Sequence, residues 1–220
     1  MEREIDLIAK YWDDYSPDFD EAHNTEDLAL WRAQLLRLTD GKTGLKTLDI
    51  GTGTGFLALM LAELGNESYG VDIAEKMMEL GKEHARERGV TVHYLLCEGE
   101  HLPFEDDSFD VVVNCRLLWT LMEPEISLRE WLRVLRPGGK MLGFMRRHDP
   151  DRVWSHTIYE GDLDSRMPLR NAKNETYLAY LEAAGYVKAQ VLDMPPELTV
   201  RQTAKDGGPI RPWVCVYGEK

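Results

Sequence analysis

Apolar residues at the start of the chain recur at intervals of three and four positions, the spacing of one face of an α-helix. The first set is Ile5, Ile8, Trp12 and Tyr15. Because proline has no amide hydrogen and clashes with the preceding turn, we expect Pro17 to end this helix.

A second set with the same spacing comprises Leu28, Trp31, Leu35 and Leu38. Asn24 or Thr25 is placed to cap the start of this second helix, and the pair Asp40-Gly41 is placed to end it. Two helices are therefore predicted before the first strand.

From residue 45 onward, short apolar runs alternate with helix-spaced segments. The predicted strands are 45–50, 67–72, 91–96, 109–114, 139–144, 187–192 and 213–218. The predicted helices are 55–64, 74–88, 124–135 and 174–184. Such alternation indicates an α/β protein with a doubly wound, mostly parallel sheet that is covered by helices on both faces.

A chain of 220 residues, 43% of them apolar, can bury one sizeable core but is short for two. We therefore expect a single domain over 1–220, with 1–44 as an N-terminal helical cap. Two connections are longer than usual, 145–173 and 193–212. Ligands of open α/β sheets bind beyond the carboxyl ends of the strands, where the first connection begins, so 145–173 is a candidate substrate lid.

Residues 47–57 read TLDIGTGTGFL, an apolar strand that carries Asp49, then three alternating glycines, then the start of a helix. Residues without a Cβ reach positive φ easily and let a ligand approach the backbone, while a helix start offers free N–H groups. The dinucleotide fingerprint G-x-G-x-x-G has its third glycine one residue later, and the carboxylate of Asp49 would repel a pyrophosphate. The turn predicts a ligand with a positive pole.

This turn resembles the first motif of class I S-adenosylmethionine-dependent methyltransferases, (L/V)-D-x-G-x-G-x-G. Three further segments, 67–85, 98–121 and 129–144, resemble later motifs of that family in the same order. They are most similar to the type 11 branch, which includes the ubiquinone/menaquinone-biosynthesis methyltransferases. The resemblance implies a Rossmann-like fold of seven strands and transfer of a methyl group from S-adenosylmethionine to a small-molecule acceptor, with S-adenosylhomocysteine as product.

The resemblance also implies a set of cofactor-binding residues. They are Tyr11, Trp12, Asp49, Gly51, Thr52, Gly53, Gly55, Asp72, Ile73, Met77, Glu98, Gly99 and Asn114. Asp72 would accept the ribose hydroxyls, Asp49 would lie near the methionyl ammonium, and Glu98 would accept from the adenine amino group.

Several of these assignments have a plainer alternative. Asp49 is also placed to cap the following helix, and the two roles are compatible. Glu98 stands where the branch usually has Asp, and Cys97 where it has Gly, so Glu98 is alternatively a surface acid. Ile73 and Met77 are alternatively part of the core, as are the aromatic residues of the first helix.

Methyl transfer needs a general base only if the acceptor arrives protonated. His23, His148 and His156 are candidates because they lie in segments expected to close over the site, and each is alternatively a solvated surface histidine. The chain has no D/N/S-P-P-Y/F/W motif after the fourth strand and no Pro-Cys pair. These absences argue against methylation of nucleobase amino groups and of cytosine C5.

Arginines gather at the expected mouth of the site. Arg116 follows the fourth strand, and Arg146 and Arg147 follow the fifth. Others further along are Arg152, Arg166 and Arg170. Because arginine forks match carboxylate and phosphate oxygens, the first three are candidate ligands for an anionic acceptor. Alternatively, acidic residues of 145–173 pair with them on a solvated face.

The chain carries 26 basic and 39 acidic residues, a formal net charge of −13, which disfavours a DNA or RNA substrate. No apolar run is long enough to cross a bilayer, and the N-terminus lacks the apolar core of a signal peptide. We therefore expect no membrane insertion and a cytoplasmic location. The three cysteines form no C-x-x-C pair, so no disulfide or metal site is predicted.

Other functions remain open on the sequence alone. A methyltransferase for protein or tRNA would need a docking surface that this acidic chain does not obviously have. A catalytically silent S-adenosylmethionine-binding sensor or partner subunit is compatible with the Cys97-Glu98 departure. A dehydrogenase is disfavoured by the glycine spacing. The acceptor atom and the oligomeric state are not predicted.

Overall fold

The computed structural model describes residues 3–23, 26–149, 157–199 and 210–220. Within them, seven strands form one sheet: β1 Lys46–Ile50, β2 Glu67–Asp72, β3 Val92–Leu96, β4 Phe109–Cys115, β5 Leu135–Arg146, β6 Val187–Asp193 and β7 Trp213–Glu219. Their order in the sheet is β3-β2-β1-β4-β5-β7-β6. Strand β7 is antiparallel to both neighbours, and the other adjacent pairs are parallel.

The described residues form six α-helices: α1 Glu4–His23, α2 Leu28–Leu38, α3 Phe56–Glu63, α4 Glu75–Arg88, α5 Pro124–Val134 and α6 Asn174–Ala184. No helix in the described ranges combines the length and the apolar character that a bilayer crossing requires.

The side chains of β4 show that the sheet is covered on both faces. Val111 and Val113 belong to an apolar cluster with Trp31 of α2, whereas Val112 belongs to a second cluster with Trp131 of α5. Successive side chains of a strand point to opposite faces, so the two helices lie on opposite sides of the sheet. The predicted doubly wound, mostly parallel sheet of seven strands is confirmed.

The prediction that Pro17 ends the first helix is wrong, because α1 continues through it to His23. A proline inside a helix deprives the carbonyl four residues earlier of its usual donor, and that carbonyl belongs to Asp13. The hydroxyl of Ser16 donates to this oxygen at 2.8 Å and replaces the missing bond.

The predicted cap of the second helix is also wrong. Asp27, not Asn24 or Thr25, is the N-cap of α2, and its carboxylate accepts from the amides of Ala29 and Leu30 at 3.0 Å. A short carboxylate at this position satisfies two of the donors that a helix start leaves unpaired.

A third apolar cluster joins α1 to the segment that follows β5. Its buried members, which we call the roof cluster, are Ile8, Trp119, Tyr159, Leu163 and Met167. The cluster packs α1 against 157–167, residues more than a hundred positions apart in the chain. Ile73, directly after β2, packs against the roof cluster, and its member Trp119 follows β4, so the cluster lies at the end of the sheet where these strands stop.

Candidate functional site

A cavity of about 930 Å³ opens at the carboxyl ends of β1, β2 and β4. Ligands of open α/β sheets bind at this edge, and the volume is in the range of small-molecule sites. Most of the residues predicted to bind the cofactor line it: Tyr11, Trp12, Asp49, Gly51, Thr52, Gly53, Asp72, Ile73, Met77, Glu98 and Gly99. The fold therefore brings together residues from α1 and from the three segments that follow β1, β2 and β3.

The three glycines of the turn all have positive φ, at +64° for Gly51, +53° for Gly53 and +89° for Gly55. A side chain would be strained at each position. It would also meet neighbours, because a Cβ on Gly51 would lie 2.7 Å from a methyl group of Leu117. The turn after β1 is thus built for residues without side chains.

Asp49 is 2% exposed at the end of β1. One oxygen, Oδ2, accepts from the Thr52 hydroxyl at 2.9 Å and from the Ala58 amide at 3.1 Å. The helix-capping role is therefore present. The other oxygen, Oδ1, is buried and finds no hydrogen-bond partner among the described residues. Burial raises the pKa of Asp49 from 3.8 to about 7.

Asp72, at the end of β2, binds the glycine turn directly. Its carboxylate accepts from the Gly53 amide at 2.7 Å and from the Ala74 amide at 2.9 Å. Burial raises the pKa of Asp72, and these two amide hydrogen bonds oppose that rise. Beside it, Ile73 and Met77 line the same wall of the cavity.

Glu98 has a partner that the sequence did not indicate. Its carboxylate accepts from Arg3 of the N-terminal segment at 2.7 Å. The neighbouring Gly99 presents its carbonyl to the indole N–H of Trp131 at 2.9 Å. The segment after β3 is thereby held from both sides of the cavity.

Helix α1 is fixed over the cavity by polar contacts. The indole N–H of Trp12 donates to the Tyr159 hydroxyl at 3.1 Å, and Asp13 accepts from the Lys76 amide at the start of α4 at 2.8 Å. Asp20 accepts from the Thr54 hydroxyl in the glycine turn at 2.7 Å. Sequence reasoning missed these contacts because each joins residues more than thirty positions apart.

His84 of α4 lies between the glycine turn and α1. Its Nδ1 is 3.3 Å from the carbonyl oxygen of Thr54, and its Nε2 is 3.2 Å from a carboxylate oxygen of Asp20. The imidazole thus lies between an oxygen of the turn and an oxygen of α1 and links the two.

Two predicted residues are not among the described residues that line the cavity. Gly55 belongs to the turn, where a Cβ would lie 2.5 Å from the Tyr94 hydroxyl oxygen. Asn114 is fully buried between β4 and β5, with its amide nitrogen 4.0 Å from the sulfur of Met141. The alternation of β4 turns this side chain into the sheet packing rather than toward the ligand edge.

Of the three arginines predicted for an anionic acceptor, two line the cavity. Arg116 and Arg146 donate to the same oxygen of Glu26, at 2.7 Å and 3.3 Å. The third, Arg147, pairs with Asp193 and does not belong to the described lining. Glu26 was missed, since nothing in the sequence joins it to positions 90 and 120 residues away.

An ion pair within 145–173 is formed by an arginine other than these three candidates. Arg170 pairs with Asp164, whereas Arg166 pairs with Glu4 of α1. Arg152 lies outside the described residues.

The three candidate histidines are placed differently. His148 lines the cavity beyond the end of β5. His23 is the last residue of α1, but its side chain lies outside the described part of the structure, as does all of His156. The described residues therefore offer His148 as the one of these three in position to meet an acceptor.

The known proteins to which this chain is similar include methyltransferases. The sequence model of the type 11 family described as "Methyltransferase domain" matches residues 48–143. The ubiquinone/menaquinone biosynthesis C-methyltransferase UbiE of Idiomarina loihiensis is 30% identical over 190 residues, which cover 75% of each chain.

Two solved structures share the fold. A S-adenosylmethionine-dependent methyltransferase from Aquifex aeolicus superposes with a TM-score of 0.64 at 21% identity, covering 96% of each chain. A chain of the complex between the Haloferax volcanii Trm112 methyltransferase activator and a methyltransferase superposes with a TM-score of 0.74 at 18% identity, again over 96% of each chain. At these identities the likeness concerns the fold.

Proposed function

The chain belongs to the class I S-adenosylmethionine-dependent methyltransferase family, in its type 11 branch, and we propose that it methylates a small-molecule acceptor held in the cavity described above. One observation carries the proposal. The cavity is lined by a glycine turn and by the buried carboxylate of Asp49, whose Oδ1 has no described partner. Such an oxygen is suited to a positively charged donor, because an unpaired buried carboxylate oxygen is costly.

The residues present fit S-adenosylmethionine. Gly51 and Gly53 have positive φ and line the cavity, so the turn presents its backbone to a ligand. Asp49 would accept from the methionyl ammonium, and Asp72 would accept from the ribose hydroxyls. Met77 lines the cavity and offers an apolar, adaptable surface to the adenine.

Bound in this way, S-adenosylmethionine would supply a methyl group on a positively charged sulfur; an in-line acceptor would gain the methyl group as the carbon–sulfur bond breaks, with S-adenosylhomocysteine as the leaving group. The protein contributes positioning and the exclusion of water, which are the main needs of such a displacement. Ile8 and Trp119 of the roof cluster line the cavity together with Trp12, and these apolar side chains would help to exclude water. His148 is the candidate to take a proton from the acceptor, if the acceptor carries one.

A small acceptor is favoured over a macromolecule by the cover of the cavity. Helix α1 is bonded to α4 through Asp13 and to the segment after β5 through Trp12, and in this position it would hinder a folded partner from reaching the cavity. The net charge of −13 adds repulsion toward nucleic acid. A protein or tRNA acceptor is the alternative, and it would require α1 to leave.

A catalytically silent binding module is the other alternative, and one contact favours it. Arg3 occupies the Glu98 oxygen at 2.7 Å, an oxygen that would otherwise be free for adenine. If this ion pair persists with ligand, the adenine contact differs from that of an ordinary member of the branch.

The proposal is tested first by calorimetry. We expect the protein to bind S-adenosylmethionine and S-adenosylhomocysteine and to ignore NAD. We expect Asp72→Asn to weaken binding about ten-fold or more, through the loss of a charged acceptor. Glu125→Gln, an exposed change on α5, is the matched control. Binding of NAD, or equal affinity of the Asp72→Asn variant and wild type, would contradict the assignment.

Turnover is tested next. The protein is incubated with methyl-deuterated S-adenosylmethionine and the small-molecule fraction of a cell extract, and the products are followed by mass spectrometry. An enzyme forms S-adenosylhomocysteine together with a product heavier by one labelled methyl group. Tight binding without turnover in small-molecule and macromolecular fractions alike would support the silent module.

A further inference from the structure

The part of the cavity beyond β4 and β5 is built from cations. Arg116, Arg146 and Arg211 all line it, in a protein whose net charge is −13. Arg146 donates through Nη1 to the backbone carbonyl of Arg211 at 3.0 Å, which brings the third arginine to the other two. We call these three residues the arginine wall.

One carboxylate serves two of these guanidinium groups. Glu26, whose side chain is 2% exposed, accepts from Arg116 and from Arg146 on the same oxygen. No ion pair joins Arg211 to a carboxylate among the described residues. Among the described residues, the ion pairs of the wall therefore set one negative charge against three positive charges, and these arginines are partly buried.

The two paired arginines also rest on aromatic rings. The guanidinium carbon of Arg146 lies 4.1 Å from the ring centroid of Trp213, and that of Arg116 lies 4.8 Å from the same centroid. Stacking orients a guanidinium and leaves its N–H groups to point along the plane of the fork. Nη1 of Arg146 donates to the Thr199 hydroxyl at 2.8 Å and to the Arg211 carbonyl, so a ligand would meet the other nitrogens of this group. Burial lowers the pKa of Arg146 to about 10, and the nearby Arg116 and Arg211 act in the same direction.

Arg116 is held in a conformation that is unusual for a residue with a side chain. Its φ is +63°, and its amide donates to the Phe144 carbonyl at 2.9 Å. Among the described non-glycine residues with positive φ, it is the one that lines this cavity. Backbone strain of this kind persists where the surroundings impose it, and it is concentrated at ligand sites.

We propose that the methyl acceptor carries an oxyanion, a carboxylate or a phosphate, which binds in the cavity against Arg116, Arg146 and Arg211. The excess of positive charge gives such a group its attraction, and the planar forks give it two-point hydrogen bonds. This inference rests on the proposed function, because it names the class of acceptor for the same site. The group must compete with Glu26 for Arg116 and Arg146.

That competition separates a binding role from a purely structural one. If the arginines serve the acceptor, Arg116→Gln weakens oxyanion binding and Glu26→Gln strengthens it, since the removed carboxylate no longer occupies the forks. If the three side chains only hold α2 to the sheet, both changes lower stability and neither changes binding of an anion selectively.

The probes are benzoate, phenyl phosphate and the neutral isostere benzamide, titrated at constant ionic strength into protein saturated with S-adenosylhomocysteine. We expect at least one of the two anions to bind wild type ten-fold or more tightly than benzamide. Arg116→Gln and Arg146→Gln should each lower that affinity about ten-fold, the effect of losing a charge-assisted hydrogen bond. Glu26→Gln should raise it several-fold. Arg129→Gln, which removes the same charge from an exposed position on α5, should leave it within two-fold.

The stronger of the two anions identifies the group as carboxylate or phosphate. Equal binding of benzoate, phenyl phosphate and benzamide to wild type would overturn the inference, and so would equal effects of Arg116→Gln and Arg129→Gln. If a glutamine variant fails to fold, as shown by its melting curve, the comparison of anions with benzamide on wild type still decides. Failure of wild type to bind S-adenosylhomocysteine is a separate result that would overturn the proposed function. The probe titrations can then be made on the protein without S-adenosylhomocysteine.

Discussion

Replacing Asp49 by Asn tests the electrostatics of the cavity most directly. The change removes the ionisable proton and keeps an oxygen that can accept from Thr52 and from the Ala58 amide. In the unfolded chain this carboxyl ionises near 3.8, whereas burial in the folded protein raises its pKa to about 7. That difference corresponds to about 4 kcal/mol of lost stability once the folded group is ionised.

The stability of the folded protein depends on pH through the proton that Asp49 binds. Between pH 3.8 and about 7 the folded protein holds the Asp49 proton and the unfolded chain does not, so the contribution to the free energy of unfolding falls as pH rises. The Asp49→Asn variant lacks this slope. Without ligand, we expect its stability relative to wild type to increase by about 3 kcal/mol between about pH 5 and about pH 7.5. Denaturant titration at both pH values measures the difference.

Ligand binding should shift Asp49 from its protonated form to its ionised form. A positively charged ligand favours ionised Asp49, so binding near pH 6.5 should release about three-quarters of a proton from wild type. Calorimetry of S-adenosylmethionine in buffers of different ionisation enthalpy measures that number, and the Asp49→Asn variant subtracts the protons contributed by other groups. The same proton count in both proteins, together with parallel stability curves, would refute the reasoning.

Three further outcomes are expected. Gly51→Ala places a Cβ at φ +64° and 2.7 Å from a methyl group of Leu117. It should therefore lower the free energy of unfolding by about 1–3 kcal/mol and abolish S-adenosylhomocysteine binding in the folded fraction. Wild-type affinity in this variant would contradict the expected tightness of the turn. Asp72→Ala should lower the same affinity by about 2–4 kcal/mol, measured by calorimetry, because it removes a buried charged acceptor. His84→Gln should increase tryptic cleavage after Lys10, and S-adenosylhomocysteine should protect wild type at that bond, because α1 is held to the turn through Asp20. Identical cleavage in all samples would show that α1 is ordered independently of both.

The local parts of the structure could be predicted from the sequence. Strand and helix periods depend on neighbouring residues, and the sheet they predict is confirmed. The glycine turn could also be predicted, since Gly51 and Gly53 are needed for backbone geometry that no other residue adopts easily. The predicted end of the first helix and the predicted cap of the second helix were wrong. Pro17 could be accommodated because Ser16 supplied the replacement donor, a contact that a rule about proline alone does not include.

The arrangement of the arginines in the cavity could not be predicted, for a physical reason. The arginines were visible as a sequence cluster, but a charge reveals its partner only in three dimensions. Arg147 turns to Asp193, while Arg116 and Arg146 meet at Glu26 from positions far apart in the chain. Sequence therefore indicated the cations and left open which of them face a ligand.

Helix α1 and the preceding Arg3 contact two segments that line the cavity, one after β3 and one after β1. Arg3 binds Glu98 beyond β3, and Asp20 binds Thr54 in the glycine turn. A ligand that takes the Glu98 carboxylate must release Arg3, and a ligand that moves the turn must disturb Asp20. Ligand binding and the position of α1 are then coupled, and this coupling is reciprocal. A change in α1 that weakens either contact should therefore change ligand affinity, and the ligand should change the closure of α1 by the same free energy. We therefore expect α1, rather than the sheet, to move when a ligand enters or leaves the cavity.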